Sequence, residues 1–227
     1  MPFENLSIHL GEDIVLEEEW LVDKVVRARR GGFCYELNGA FAGLLSALGW
    51  SVTLLAARVF TGPDRIGPPY DHLALRVESP DDPGPWLVDV GFGAHSHHPL
   101  RLTERGEQAD PGGTFRITGT PDGDLDVLKD GAPQYRLAVR PRALEDFEAT
   151  CWWHRTSPKS PFTRKLVCSR LTDGGEARVT LSGDRLVTTV AGERYEETLT
   201  SDAEILAAYR DHFALELDRV PTVLDLA

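Results

Sequence analysis

Apolar residues recur at helical spacing at Leu16, Trp20, Leu21, Val25 and Ala28. This pattern predicts an amphipathic helix over 16–30 with those side chains inward. Glu17, Glu18 and Glu19 stand at its start, and Lys24, Arg27, Arg29 and Arg30 at its end. That polarity complements the helix dipole, and most of these charges suit a solvated face. Gly31 and Gly32 stop the helix. A second helix is predicted over 34–48, where Leu37, Phe41, Leu44, Leu45 and Leu48 form one stripe before Gly49. Cys34 then falls in the first turn, on the inward face.

After residue 51 the period changes to two. Residues 52–60 are β-rich, and a loop with Gly62, Pro63, Gly67, Pro68 and Pro69 follows. Over 72–77, Leu73, Leu75 and Val77 alternate with His72, Ala74 and Arg76. A turn over 79–85 leads to a strand over 86–90 that ends in Gly91-Phe92-Gly93. Short strands near 114–118, 124–129 and 134–140 complete the pattern of an antiparallel sheet or small barrel. A short helix over 143–150 and the loop Ser157-Pro158-Lys159-Ser160-Pro161 come next. Strands are predicted at 163–171, 177–182, 185–190 and 194–199. A last helix over 201–213 carries Ile205, Leu206, Tyr209 and Phe213 on one stripe, with Ser201 as N-cap and Glu204 in a capping box. Helices, then a β layer, then an α/β tail make an α+β chain.

Composition narrows the function classes. A chain of 227 residues allows one large domain or two small ones. With 41% hydrophobic and 26% charged residues it is an ordinary folded chain, which excludes wholesale disorder. No run nears the about 18 apolar residues of a membrane helix, and no secretory signal is read at the start. A net charge of −12 argues against a general nucleic-acid binder, while leaving room for a basic pocket that holds a phosphorylated ligand. Cys34, Cys151 and Cys168 are too scattered for a disulfide framework or zinc ribbon, which points to a reducing cytoplasm.

Among the cysteines, Cys34 has the setting of a reactive one. It follows Arg29-Arg30-Gly31-Gly32-Phe33 and opens a helix, where free N–H groups and the dipole favour a thiolate. The two glycines allow close approach to the sulfur. A buried structural thiol is the competing reading. A reactive thiol needs a base, and the base needs a group to orient it. His72 opens an alternating strand on the face opposite Leu75 and Val77, which suits a base. Asp89 stands between valines in a strand read as buried, where a carboxylate is costly unless a histidine or arginine pairs with it. Other constellations are weaker. His95, His97 and His98 lack a cysteine or carboxylate at ligand spacing, so no metal is expected. Cys151 and Cys168 read as structural, and Trp152 and Trp153 as core packing.

Three runs then carry a resemblance: Pro2-Phe3-Glu4-Asn5-Leu6, Arg30-Gly31-Gly32-Phe33-Cys34-Tyr35-Glu36-Leu37-Asn38, and Asp89-Val90-Gly91-Phe92-Gly93. With Ser160-Pro161-Phe162 and the last helix, they resemble the arylamine N-acetyltransferases over nearly the whole chain. The resemblance implies a Cys34-His72-Asp89 triad and an α+β fold with a cysteine-protease-like arrangement. It implies a helical domain over 1–50 that carries the nucleophile and is truncated at its N-terminus, since family members have further residues before Pro-Phe-Glu-Asn. A β-barrel domain over 51–155 would carry His72 and Asp89, and an α/β lid would span 156–227. The run from Cys151 to Pro158 departs from the family, which commonly has an asparagine and a Thr-His-Pro run there.

The implied chemistry is ping-pong acyl transfer from acetyl-CoA, with no metal. A thiol paired with a histidine can drop in pKa to about 3–7. The thiolate would take the acetyl group and pass it to an arylamine or arylhydrazine. Phe3, Phe33 and Phe92 would line the acceptor slot. Gly93 would lie near the pantetheine of CoA, and Glu4 and Arg30 would form a structural ion pair. Lys159, Arg164 and Lys165 are the cations available for CoA phosphates. No nucleic-acid or membrane partner is expected, and the chain would act as a monomer or homodimer. An amide synthase fed by a carrier-protein thioester, a truncated inactive ligand-binding relative and a papain-like hydrolase remain as alternatives. The Arg-, Ala-, Gly- and Asp-rich composition, which suits a high-GC genome, favours the first of these.

Overall fold

In chain order the first elements are β1 (Phe3–Glu4), α1 (Leu6–Leu10), α2 (Glu18–Val22) with a π-helical turn over Asp23–Arg27, and α3 (Cys34–Ala47). A run of strands follows: β2 (Ser51–Gly62), β3 (Arg65–Ile66), β4 (His72–Glu78), β5 (Trp86–Val88), β6 (Leu100–Arg101) and β7 (Glu107–Asp110). It continues through β8 (Gly113–Gly119), β9 (Leu125–Lys129) and β10 (Ala132–Arg142) into a 3-10 turn over Leu144–Phe147. Then come α4 (Glu148–Thr156), α5 (Pro161–Arg164), β11 (Cys168–Leu171), β12 (Ala177–Ser182), β13 (Arg185–Val190), β14 (Glu193–Thr198) and α6 (Asp202–Phe213). This computed structural model describes residues 1–62, 65–82, 84–172 and 174–224; Pro63 of the expected loop and Pro83 of the expected turn lie outside them. Among the described residues no helix is long and apolar enough to cross a membrane.

The chain divides into two compact units. One comprises Leu16–Glu18 and Cys34–Cys151. Its strands form one antiparallel sheet in the order β6-β5-β4-β2-β10-β9-β8-β7, with β3 added on β2. The sheet curls into a nearly closed barrel, and its two edge strands are stitched by one side chain. The Gln108 amide accepts from the Arg101 N–H at 2.7 Å and donates to its carbonyl at 3.1 Å. Inside lie Leu55, Ala74, Leu87, Phe115, Ile117, Val127, Tyr135 and Leu137, all buried. On the other face Ala42 and Leu45 of α3 cover Leu75, Val77 and Val88. β4 is therefore buried on both faces over its first four residues.

The other unit comprises Met1–Val15, Glu19–Phe33 and Trp152–Ala227. Its sheet runs β1-β11-β12-β13-β14, also antiparallel. Leu6, Cys168, Leu181, Leu186, Tyr209 and Phe213 form the core between this sheet, α1 and α6. Ser201 caps α6 by accepting from the Glu204 N–H, but the Glu204 carboxylate accepts from Thr200 rather than completing the box on Ser201.

Several expectations need correction. The first helix is short and changes to π geometry, which keeps Leu21 and Val25 inward while Trp20 is 47% exposed and Ala28 faces solvent. In α3 the first two turns are buried all round, whereas Leu44 near its end and Leu48 just beyond it are 53% and 63% exposed. The strand before Asp89 ends at Val88. The start of the strand expected over 163–171 is taken by α5, where Pro161 at the first helical position and the Ser160 cap favour a helical turn.

Candidate active site

Cys34 is the first residue of α3, and it is buried. The helix-start setting predicts a lowered thiol pKa. Burial outweighs it and pushes the thiol well above its ordinary range; a backbone hydrogen bond from Leu73 pulls it down, while Asp89, Asp71 and Cys151 add to the rise. The surroundings therefore favour the neutral thiol.

His72 opens β4 in register with Ala57 of β2, on the barrel-interior side. Its Nε2 lies 2.7 Å from Oδ2 of Asp89, and both side chains are buried. Burial pushes the Asp89 carboxyl up, but the charge and hydrogen bond of His72, the charge of His95 and the Asn38 amide overcome this and hold it at about 2. Asp89 is thus a carboxylate that only accepts, so Nε2 of His72 carries the hydrogen and Nδ1 is left as the basic nitrogen. The ring is packed edge-on by Phe92 at 5.0 Å and tilted against Tyr135 at 5.1 Å.

Asn38, one turn after Cys34, organises this corner. Its amide donates to Oδ1 of Asp89 at 2.9 Å and to the Leu73 carbonyl at 2.6 Å, and its oxygen accepts from the Val90 N–H at 3.0 Å. Gly91 donates its N–H to Asp89 at 3.0 Å. A Cβ at Gly91 would lie 2.7 Å from Cys34 Cα and 2.7 Å from the Asn38 amide nitrogen, so only glycine fits. Gly93 holds φ +89°, the left-handed region that glycine adopts freely. The role of Asn38 escaped the sequence reading. The one signal was its place one turn past Cys34 on the inward face.

His95 is buried against Phe92, Phe115 and Tyr135, with ring centroids 4.9–5.4 Å apart. Burial lowers its pKa to about 4, against a pull upward from Asp89. His98 pairs instead with Asp110 at 3.1 Å, and the His97 N–H donates to the same carboxylate, so the three histidines diverge.

In the other unit the Pro-Phe-Glu-Asn run lies against the Arg-Gly-Gly run. Phe3 bridges Gly32 in parallel, and the Glu4 N–H donates to the Gly32 carbonyl at 2.9 Å. Glu4 is fully buried and pairs with Arg30 at 3.2 Å; Arg30 also meets Glu12 at 3.0 Å. Asn5, also missed, donates to the carbonyls of Phe162 and Lys165 at 2.8 and 2.7 Å and accepts from the Val167 N–H at 2.9 Å. Phe3 and Phe33 both pack on Phe162, at 6.2 and 5.4 Å. Phe92 belongs to the barrel unit, with His72. Lys159, Arg164 and Lys165 are exposed, and the Arg164 guanidinium donates to the Ser160 and Lys159 carbonyls. Cys151 and Cys168 are buried thiols that form no disulfide. Trp152 is exposed and forms no part of the core.

The family model described as N-acetyltransferase matches residues 1–222. The arylamine N-acetyltransferase of Mycobacterium tuberculosis is 34% identical, over 96% of this chain and 78% of that protein. The solved arylamine N-acetyltransferase of Mycobacterium smegmatis superposes with a TM-score of 0.86 at 33% identity, covering 96% of this chain and 81% of that one. That of Mycobacterium marinum in complex with CoA gives 0.84 at 33% identity, covering 95% and 81%. A match of this extent, on a barrel that holds a histidine–aspartate pair beside a helix-start cysteine, means that the chain belongs to the arylamine N-acetyltransferase family.

Proposed function

We propose that this chain transfers an acetyl group from acetyl-CoA to an arylamine or arylhydrazine in the cytoplasm, through an acetyl-cysteine on Cys34. The observation that carries the reading is the buried 2.7 Å contact between His72 Nε2 and Asp89 Oδ2. With Nε2 committed to the carboxylate, Nδ1 of His72 takes the proton of Cys34 as the sulfur attacks the thioester carbonyl. Asp89 stabilises the imidazolium that forms. The Cys34 N–H, at the start of α3, donates to the developing oxyanion. A carbon–sulfur bond to Cys34 forms, the bond to CoA breaks, and the CoA thiolate receives the proton. The acceptor amine then attacks the acetyl-cysteine, His72 removes its proton, and Cys34 leaves as the restored thiol. The mechanism needs no metal.

In this reading the nucleophile lies in a helical part over 1–50, the base and its orienter in a barrel part over 51–155, and an α/β lid spans 156–227. Phe92, edge-on to His72, forms one wall for the acceptor ring. Gly93 is the position near the pantetheine, and Lys159, Arg164 and Lys165 supply charge for the phosphates. The assignment of Phe3 and Phe33 to the acceptor rests on the resemblance.

Intact-mass measurement after incubation with acetyl-CoA tests the reading. An acetyl adduct on Cys34 is expected, discharged by an arylhydrazine faster than by water. A folded protein that gives no adduct removes the proposal. Discharge by water at the same rate means a hydrolase, and labelling only by an acyl carrier protein means an amide synthase. His72→Ala is expected to fold and to form no adduct, and rapid labelling of it would show that His72 is not the base.

A further inference from the structure

Two hydrogen bonds fasten the start of β4 to the first two turns of α3, one on each side of His72. Downstream, Asn38 donates to the Leu73 carbonyl at 2.6 Å. Upstream, Tyr35, the residue after Cys34, donates its hydroxyl to the Tyr70 carbonyl at 2.7 Å. Tyr70 holds φ +60°, a conformation that aromatic residues rarely adopt. Such a turn persists only where its surroundings over-determine it, and here they do. The Tyr70 ring meets Phe147 edge-on at 5.4 Å and lies 5.1 Å from the Arg142 guanidinium. Phe147 also packs on the Tyr35 ring at 5.8 Å, and both are fully buried. Next to Tyr70, the Asp71 carboxylate accepts from the Val59 N–H at 3.2 Å, and the Pro69 carbonyl accepts from Thr150 at 3.0 Å. Burial, with Cys34, Cys151 and Asp71, keeps the Tyr35 hydroxyl protonated, so it stays the donor.

We propose that Tyr35 is a positioning residue for acyl transfer, whose hydroxyl locks Tyr70 in its left-handed turn and thereby fixes the His72 ring relative to the Cys34 thiol. The bond ties the neighbour of the nucleophile to the residue two before the base. The proposal rests on the roles given above to Cys34 and His72.

Tyr35→Phe removes the hydroxyl and leaves the packing ring. The burst of CoA release is expected to slow by about tenfold to a hundredfold, the cost of a small misplacement of reacting groups. The dissociation constant of acetyl-CoA, read from the concentration dependence of the burst rate, should stay within about twofold, because no binding contact is lost. The pH profile of Cys34 alkylation by iodoacetamide should shift as well, and that readout needs no acetyl-CoA. If the wild type forms no acetyl adduct, the reading of function has failed, and the alkylation profile still decides on Tyr35. Tyr70→Gly, which adopts the turn unaided, should rescue Tyr35→Phe in part. An unchanged burst and profile, with only a lower melting temperature, would overturn the proposal. Should Tyr35→Phe not fold, Tyr70→Gly and Tyr70→Val carry the same test from the other partner. Both remove the ring, but only the valine resists the turn, so only Tyr70→Val should slow the burst. Equal effects of the pair would overturn the proposal.

Discussion

Asn38 donates one amide hydrogen to the Asp89 carboxylate and the other to the Leu73 carbonyl, so one side chain of α3 holds both the group that orients His72 and the strand that carries it. Asn38→Ala leaves a buried carboxylate short of a donor and a carbonyl without its partner. A hydrogen bond to a charged group contributes about 1.5–3 kcal/mol, and a loss of that order is expected in urea denaturation, with a slower CoA burst. Asn38→Asp should be worse, since two carboxylates at hydrogen-bond distance cannot both ionise. A variant Asn38→Ala with wild-type stability and burst rate would refute this role.

Gly91 is the second point where a small change has a large effect. Its missing Cβ is what lets the Asp89 turn approach the backbone of Cys34, and that backbone cannot swing aside as a long side chain can. Gly91→Ala is expected to destabilise by about 1–3 kcal/mol, the usual cost of overpacking. Reactivity of Cys34 toward iodoacetamide should fall by more than the melting temperature suggests. A variant with unaltered alkylation kinetics would show that the loop accommodates the methyl group.

These two residues show what could be read in advance. The helix that starts at Cys34 and the strand that starts at His72 were legible because an apolar stripe and a strict alternation each have a period. Asp89 was legible because a carboxylate between valines needs a partner. The partners themselves were not legible. Asn38 meets Asp89 across 51 residues of chain, and no local pattern encodes a tertiary bond. Trp20, Leu44 and Leu48 were read as inward because periodicity defines a stripe but not what covers it. β1, β3 and β6, with two residues each, are too short to show any period.

The buried histidine–carboxylate cluster gives stability a pH dependence with two limbs. His95 titrates at about 4 in the folded chain against 6.5 when exposed. Between those values the unfolded chain binds more protons, so stability falls as pH drops from 6.5 towards 4, by up to about 3 kcal/mol. Asp89 titrates at about 2 against 3.8. Its contribution is intact above 3.8 and is lost as pH falls through about 2. Urea midpoints between pH 7 and pH 3 should show the first limb. His95→Phe keeps the ring and should flatten that limb, while the Asp89 limb moves to higher pH because the carboxylate loses the charge of His95; a slope between pH 6.5 and 4 that survives in this variant would assign it elsewhere.

Glu4 and Arg30 offer a test of the other unit. Glu4 is fully buried, and its two oxygens are divided between the Leu6 N–H at 2.6 Å and the Arg30 guanidinium at 3.2 Å. Arg30 is mostly buried and shared with Glu12, whose carboxylate is partly exposed. Removing one partner of a buried pair leaves an uncompensated charge, at a cost of about 3–5 kcal/mol. Arg30→Met should therefore be strongly destabilising in urea denaturation. Glu4→Gln keeps an acceptor for the Leu6 N–H and takes away the charge, so Glu4→Gln combined with Arg30→Met should recover a large part of the loss. The coupling from that double-mutant cycle isolates the pair only if Glu12 does not compensate, and the cycle repeated in a Glu12→Gln background controls for it. Coupling near zero in both backgrounds would mean that packing of Phe3 and Asn5, rather than this ion pair, holds β1 in place.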